Sequence, residues 1–117
     1  MKDFRKLKVW EKSHSMTLAV YAATREFPKE ELYGISAQLR RAIVSIPTNL
    51  AEGCGRGSDK DFGRFVQIAM GSTCETEYLV LLCKDMKYIS DELYNRFDSN
   101  IQEIKKMLVS LLYKLKS

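Results

Sequence analysis

The sequence has no long apolar run. No uninterrupted apolar stretch is longer than that of residues 78–83, far short of the roughly 20 apolar residues that a membrane-spanning helix requires. The first residues are basic, but no apolar segment follows them as one does in a signal peptide. We therefore expect a cytoplasmic protein with no membrane partner.

Cysteine and histidine are scarce and scattered. The chain has three cysteines and one histidine, and no two cysteines have the C-x-x-C spacing of a zinc site. If Cys74 and Cys83 share a helix, they lie about 13 Å apart along its axis, too far for a disulfide. We expect buried free thiols in a reducing compartment, and neither a metal nor a cofactor.

Residue patterns that support catalysis are also missing. His14 lacks the Glu-x-x-His context of a di-iron bundle. Glu75 and Glu77 are two residues apart, so they diverge on a helix and do not form a carboxylate pair. The glycine-rich stretch at residues 53–58 lacks the Lys-Ser/Thr pair of a phosphate-binding loop, and no strand precedes it. We predict a helix-turn-helix connection there and no enzymatic activity.

Helical periodicity is the strongest signal that the sequence does contain. Apolar residues recur at three-and-four spacing in four segments, and no segment sustains the alternation of a strand. The pattern predicts helices over about residues 7–26, 35–52, 59–87 and 91–116. Short connections force chain neighbours to pack antiparallel. We therefore predict an all-α, up-and-down antiparallel four-helix bundle that forms a single domain over residues 1–117.

The second helix has the clearest buried face and the least usual sequence. Pro47 deletes the hydrogen bond to the carbonyl of Ile43, so we expect a kink there. Gly53 is placed like the glycine that ends a helix. The apolar face of the helix consists of Ile35, Leu39, Ala42, Ile43, Ile46 and Leu50. The small polar residues expected to satisfy the freed backbone groups are Ser45, Thr48 and Asn49.

The third helix has a seven-residue repeat and more apolar side chains than one buried face requires. The repeat predicts two buried rows, namely Phe62, Ala69, Thr76 and Cys83 in one, and Phe65, Ser72, Leu79 and Met86 in the other. Apolar residues outside the predicted seams include Ile68, Tyr78 and Leu81 in this helix and Trp10, Leu18 and Tyr21 in the first. Because a four-helix core does not cover them all, we predict a homo-oligomer.

The net charge is mild, but the basic residues are clustered. The chain has 19 basic and 15 acidic residues, for a net charge of +4, which permits a nucleic-acid partner without requiring one. Adjacent residues on a helix point about 100° apart, so at least one of Arg40 and Arg41 faces solvent or a neighbouring subunit. The candidate nucleic-acid-binding residues are Arg40, Arg41, Arg56, Lys60 and Arg64.

Two polar residues beside the predicted kink, Asn49 and Glu52, have two interpretations. In the first they are structural, bonding the interrupted backbone and an arginine across an interface. In the second they line a polar pocket that recognises a ligand. The sequence alone leaves both open.

Several motifs occur in an order that resembles a known family. They are Leu7-Lys8-Val9-Trp10, residues 27–34, Gln38-Leu39-Arg40-Arg41-Ala42, residues 45–53, and Ile68-Ala69-Met70-Gly71-Ser72. The chain is similar to the bacterial four-helix-bundle family found as open reading frames within intervening sequences of large-subunit ribosomal RNA genes, often labelled a ribosomal protein. The block Ser45-Ile46-Pro47-x-Asn49-x-Ala51-Glu52-Gly53 is its most specific part. Cys54 stands where members usually have an aromatic residue.

The resemblance implies a ring-shaped homopentamer with no established enzymatic activity. A related branch, the accessory protein of diversity-generating retroelements, is a basic pentamer that binds nucleic acid and a partner reverse transcriptase. Only the basic character of the five candidate residues carries over. The motif residues Ser45, Pro47, Asn49, Glu52 and Gly53 come with no assigned role. The hypothesis is a non-catalytic oligomer that binds RNA or other nucleic acid, and the alternative is a protein-docking scaffold with no nucleic-acid role.

Overall fold

A computed structural model describes residues 2–116 of the protein. Over this range the secondary structure is helical, with no strand. The elements are α1 (Lys8–Thr24), α2 (Ile35–Cys54), α3 (Asp59–Asp85) and α4 (Asp91–Lys116), with short 3₁₀ turns at Phe4–Lys6 and Lys29–Glu31. The four helices match the predicted ones to within two residues at each end. None of these helices has both the length and the apolar character needed to cross a membrane.

The helices form an antiparallel four-helix bundle, as predicted. Each packs against its neighbours in the chain, and α1 also contacts α4, which closes the arrangement. The bundle measures 44 × 23 × 20 Å, and its long dimension matches the length of about 40 Å expected for the 27 residues of α3. The turn between α2 and α3 therefore lies at the same end as the start of α1. We call this the glycine end.

The core follows the helical stripes closely in α2 and α4. All six predicted core residues of α2 are buried, with Ile43, Ile46 and Leu50 at 0% exposure. In α4 the buried side chains are Phe97, Ile101, Ile104 and Leu108, which recur at three-and-four spacing. Because α2 is an uninterrupted α-helix with Pro47 buried inside it, the proline does not end the helix. The kink at Pro47 stays a prediction.

In α3, one predicted row is right and the other is mostly wrong. Phe62, Ala69, Thr76 and Cys83 are all buried, as is Leu79 of the second row. The other residues that complete the buried face are Val66, Thr73 and Val80, whereas Met86 is 49% exposed. Threonine is tolerated in this core because its hydroxyl bonds to the helix itself, as Thr73 Oγ1 does to the Ala69 carbonyl at 2.8 Å.

All three cysteines are free thiols, but only two are buried. Cys54 and Cys83 lie in the core, whereas Cys74 is exposed, so the prediction that all three are buried is wrong for Cys74. Burial raises the pKa of Cys83 to about 11 and also raises the pKa of Cys54. The two buried thiols are therefore protonated at neutral pH and behave as small apolar groups.

Candidate nucleic-acid interface

Gly53, at the glycine end, does not have the helix-ending role that the sequence predicted. Gly53 does not end α2, since the helix continues through Cys54 and Gly55 forms the C-cap. A Cβ atom on Gly53 would lie 2.8 Å from both Phe62 Cδ1 and Phe65 Cβ. Gly53 is therefore required by the close approach of α3, because any side chain there would clash with two phenylalanines.

The polar residues of the motif bind within the bundle. Asn49 Nδ2 donates to the carbonyl of Ser45 at 2.8 Å and to Ser45 Oγ at 2.9 Å. Ser45 Oγ in turn lies 2.8 Å from Ser72 Oγ on α3. Asn49 does bond the backbone beside Pro47, but through the Ser45 carbonyl and not through that of Ile43. The network links α2 to α3.

Glu52, the acidic residue of the motif, faces solvent beside an arginine of the same chain. Its Oε2 atom lies 3.6 Å from Arg56 Nη2, and both side chains are about half exposed. Both polar residues for which two interpretations were open, Asn49 and Glu52, thus have partners inside the chain. Exposed pairs of this kind contribute little to folding, at most about 1 kcal/mol, so Glu52 leaves Arg56 available to another anion.

The five candidate basic residues do not form one patch. Arg56, Lys60 and Arg64 lie at the glycine end, whereas Arg40 and Arg41 lie near the start of α2, about 24 Å away along the helix axis. Arg40 is engaged within the bundle, because its Nε donates to Thr24 Oγ1 at 2.7 Å and its guanidinium lies over the ring of Tyr21.

Arg41 points away from its neighbour, as predicted for adjacent helical positions. It is exposed, and within residues 2–116 it has no ion-pair partner. Arg41 is therefore a solitary cation on the side of the bundle.

Three further basic residues join the glycine end from the start of the chain. The backbone N–H of Lys2 donates to the carbonyl of Cys54 at 3.0 Å, which docks the N-terminal segment against the end of α2. Lys2 Nζ lies 3.6 Å from Asp59 Oδ1 and over the ring of Phe62. Arg5 and Lys6 follow in the 3₁₀ turn. Up-and-down topology implies this placement, since it puts the start of the first helix beside the turn between the second and third.

Carboxylates offset only part of this positive charge. The pairs at this end are Lys2–Asp59, Arg5–Asp3, Arg56–Glu52 and Arg64–Asp61, at 3.6, 3.5, 3.6 and 3.1 Å. Lys6, Lys60 and Lys116 are exposed and have no carboxylate partner among residues 2–116. The end of the bundle is therefore net positive, and its paired cations are held by weak, solvent-exposed contacts.

Two arginines of this end lie over phenylalanine rings. The guanidinium carbon of Arg56 is 4.8 Å from the centroid of Phe65, and that of Arg5 is 4.6 Å from the centroid of Phe4. A hollow of about 450 Å³ lies between the N-terminal segment and the end of α2. A smaller one of about 100 Å³ lies between Arg56 and the first turn of α3, and Lys2 lines both.

The residues considered for catalysis lie apart from this surface or have other partners. His14 is exposed, and its ring stacks on Trp10 with centroids 4.9 Å apart. Glu77 accepts hydrogen bonds from Lys105 and Gln102, which lower the pKa of its carboxyl. Over residues 2–116, no group of three or more histidine, cysteine or acidic side chains is placed to hold a metal ion.

Comparison with known proteins identifies a family and a solved structure of similar fold. Residues 5–110 match the family model described as 23S rRNA-intervening sequence protein. A crystal structure of a protein of unknown function from the S23 ribosomal protein family of Bacteroides thetaiotaomicron superposes with a TM-score of 0.80 at 28% sequence identity. The match covers 89% of this chain and 97% of that one. No curated protein matches the chain.

Proposed function

The chain belongs to the 23S rRNA-intervening sequence protein family, and on that premise we propose that it is a non-catalytic oligomer that binds RNA through the glycine end. The residues proposed to bind are Arg56, Lys60 and Arg64 of the original candidates, with Lys2 and Lys6 beside them. Arg40 is assigned to packing, because it is half-buried, its Nε donates to Thr24 Oγ1 and its guanidinium lies over the ring of Tyr21.

The observation that carries this proposal is the convergence of basic side chains from separate segments of the chain. The N-terminal segment, the α2–α3 turn and the end of α4 all contribute cations at the glycine end. Phosphate contacts supply sequence-independent affinity through release of counterions. Such contacts fix the position of a nucleic acid without reading its bases.

We propose further that the protein is a homopentamer, as the resemblance to its relatives implies. Large apolar side chains remain exposed on several faces of the single chain, including Leu18 (61%), Ile68 (49%) and Tyr78 (59%). Association between copies removes such surface from water. A ring of five chains also multiplies the net charge of +4, so a mild charge on one chain becomes a substantial field.

The alternative, a protein-docking scaffold, is favoured by a different surface. A hollow of about 530 Å³ on the outer side of α4 is lined by Val109 and Tyr113 and edged by lysines. An apolar hollow with basic edges suits an acidic amphipathic segment of another protein. In this reading the ring assembles but does not bind RNA.

The first test measures RNA binding by a charge-reversed variant and by a matched control. The variant R56E/K60E/R64E reverses three cations at the glycine end, and R25E/K29E/R96E reverses three exposed cations in the opposite half of the bundle. We expect the first to lower affinity for bulk bacterial RNA by at least about tenfold and to reduce the salt slope by about 2, since each lost phosphate contact removes roughly 0.7. The control is expected to keep most of both.

The second test measures particle size with and without RNA. Light scattering after size exclusion should give a ring-sized particle that takes up RNA at low salt and releases it at moderate salt. A ring that ignores RNA at both salt concentrations would favour the scaffold. A monomer would contradict the proposed assembly.

A further inference from the structure

Two arginines at the glycine end each place the guanidinium group over a phenylalanine ring. Arg5 lies on Phe4 and Arg56 lies on Phe65, with the guanidinium carbon within 5 Å of the ring centroid in each case. Their side chains are 70% and 50% exposed. Each guanidinium therefore has a phenylalanine ring on one side and belongs to a side chain that is at least half exposed to solvent.

Both rings beneath the arginines are fixed by packing. Phe65 is half-buried, with its Cβ against the backbone of Gly53. Phe4 meets the ring of Trp10 edge-on, with centroids 4.9 Å apart. Because each ring is held from below, little conformational entropy is lost when a planar group stacks on the arginine above it.

The backbone that carries Arg5 is also held in place. The Asp3 carboxylate accepts the N–H of Arg5 at 3.0 Å, which caps the 3₁₀ turn. The docking of Lys2 onto the Cys54 carbonyl then ties this turn to the end of α2, two residues before Arg56. The two arginine planes thus belong to one supported surface.

A hollow beside Arg5 has the size of a ligand pocket and a positive edge. The hollow of about 450 Å³ is lined by Lys2, Phe4, Arg5, Ala51 and Gly55, together with Asp3. Pockets of ~300–1,000 Å³ are typical for small ligands, so one or two unstacked bases fit this volume. Lys2 lines this hollow and the smaller one next to Arg56, so the two hollows share this cation.

We propose that the glycine end binds single-stranded RNA, with bases stacked on the outer faces of Arg5 and Arg56 and phosphates near Lys2 and Lys60. This proposal rests on the proposed RNA-binding function and adds the class of RNA. Bases inside a duplex are already stacked on each other and do not reach these planes. Unstacked bases stack on arginine planes without regard to sequence, since every base has a π-face.

The experiment separates stacking from charge by replacing arginine with lysine. The variant R5K/R56K keeps every positive charge and removes both planes. The matched control is R25K/R96K, because Arg25 and Arg96 are exposed in the opposite half of the bundle and no aromatic contact of either is found within residues 2–116. Fluorescence anisotropy would measure binding of an unstructured oligoribonucleotide and of the same strand annealed to its complement.

We expect R5K/R56K to weaken single-strand binding by about tenfold, a typical effect of losing a stacked base. Its duplex affinity and its salt slope should stay as in the wild type, and R25K/R96K should change neither affinity. Equal loss for both RNAs, or no loss for either, would overturn the stacking proposal. If the wild type binds duplex as tightly as single strand while R56E/K60E/R64E abolishes both, the RNA-binding function stands and the single-strand preference is wrong. A wild type that binds neither RNA would overturn both proposals.

Discussion

The α2–α3 and α1–α4 interfaces are built in different ways. Between α2 and α3, glycine allows the backbone of one helix to meet the phenylalanines of the other, and Ser45 and Ser72 are hydrogen-bonded across the seam. Between α1 and α4 lies an open groove of about 470 Å³, with an ion pair between Lys12 and Glu103 at 2.8 Å. The first interface is close-packed and specific, and the second is loose and polar at its rim.

The difference gives a physical account of the sequence motif in α2. Gly53 is required by the close approach of α3, and Ser45 and Asn49 form hydrogen bonds at the same interface. The motif thus specifies how two helices pack, and through them where the basic turn between them lies. The α2–α3 interface is close-packed, and the candidate RNA-binding residues of the glycine end lie at its end.

The largest expected effect comes from truncating the core of α2. Ile43 is 0% exposed, so Ile43→Ala should lower the free energy of unfolding by about 2–5 kcal/mol through lost burial and a residual cavity. Met107 lines the α1–α4 groove and is only partly buried, so Met107→Ala should cost about 1 kcal/mol. Urea denaturation at one protomer concentration measures both. Equal losses would mean that the two interfaces are alike.

A smaller effect is expected from adding one methyl group to Gly53. Gly53→Ala places a Cβ 2.8 Å from Phe62 and Phe65, and overpacking of this kind costs about 1–3 kcal/mol. The matched control is Gly71→Ala on α3, where a Cβ meets nothing within 4 Å. Because alanine favours a helix over glycine by up to ~1 kcal/mol, the control should be stabilised, as thermal unfolding would show. If Gly53→Ala and Gly71→Ala both stabilise the protein, helix propensity, and not the close approach, decides the result.

The next effect concerns single polar contacts across the two interfaces. Ser72→Ala removes the bond to Ser45 between α2 and α3 and should cost about 0.5–1.5 kcal/mol. Lys12→Met removes the ion pair between α1 and α4, where both partners are partly exposed, and should cost less than about 1 kcal/mol. Raising the salt concentration should reduce the second cost and leave the first unchanged. A salt-sensitive loss for Ser72→Ala would contradict this account of the seam.

Much of the fold was predictable because helices expose their periodicity in sequence. The stripe of α2 was fully predicted, since Ile, Leu and Ala at three-and-four spacing leave one choice of buried face. In α3 the heptad pattern wrongly predicted that Phe65 belongs to the core. This side chain is large and apolar but lies at the edge of the core, where it packs on Gly53 and has the guanidinium of Arg56 over its ring. Val66, one residue later, takes the core position.

The candidate site was harder to predict, because charge clusters depend on three-dimensional neighbours. Arg40 and Arg56 look equivalent in sequence, yet Arg40 meets Thr24 and Tyr21 from α1 and is used in packing. The contribution of Lys2 and Arg5 followed from the bundle topology. Their seating on the end of α2 required the backbone hydrogen bond to Cys54, which no side-chain pattern encodes.

The smallest expected effect is a pH dependence at the helix pair that joins the two interfaces, α3 and α4. Glu77 Oε1 accepts from Lys105 at 2.6 Å and Oε2 from Gln102 at 2.7 Å. These hydrogen bonds lower the pKa of the Glu77 carboxyl from its ordinary value of 4.5. A carboxyl whose pKa is lowered by folding stabilises the fold above the unfolded pKa, and that contribution is lost as the pH falls through the folded pKa.

Glu77→Gln should therefore lower stability by no more than about 1 kcal/mol near neutral pH, because the pair is partly exposed. The difference from the wild type should shrink as the pH falls below 4.5, where the wild-type carboxyl also becomes neutral. Thermal unfolding from neutral to acid pH measures it. A difference that persists in acid would mean that Glu77 acts through packing. In that case α4 would pack on α3 through the fit of its side chains, as α2 does. The loose α1–α4 groove would then be the sole exception within the described bundle.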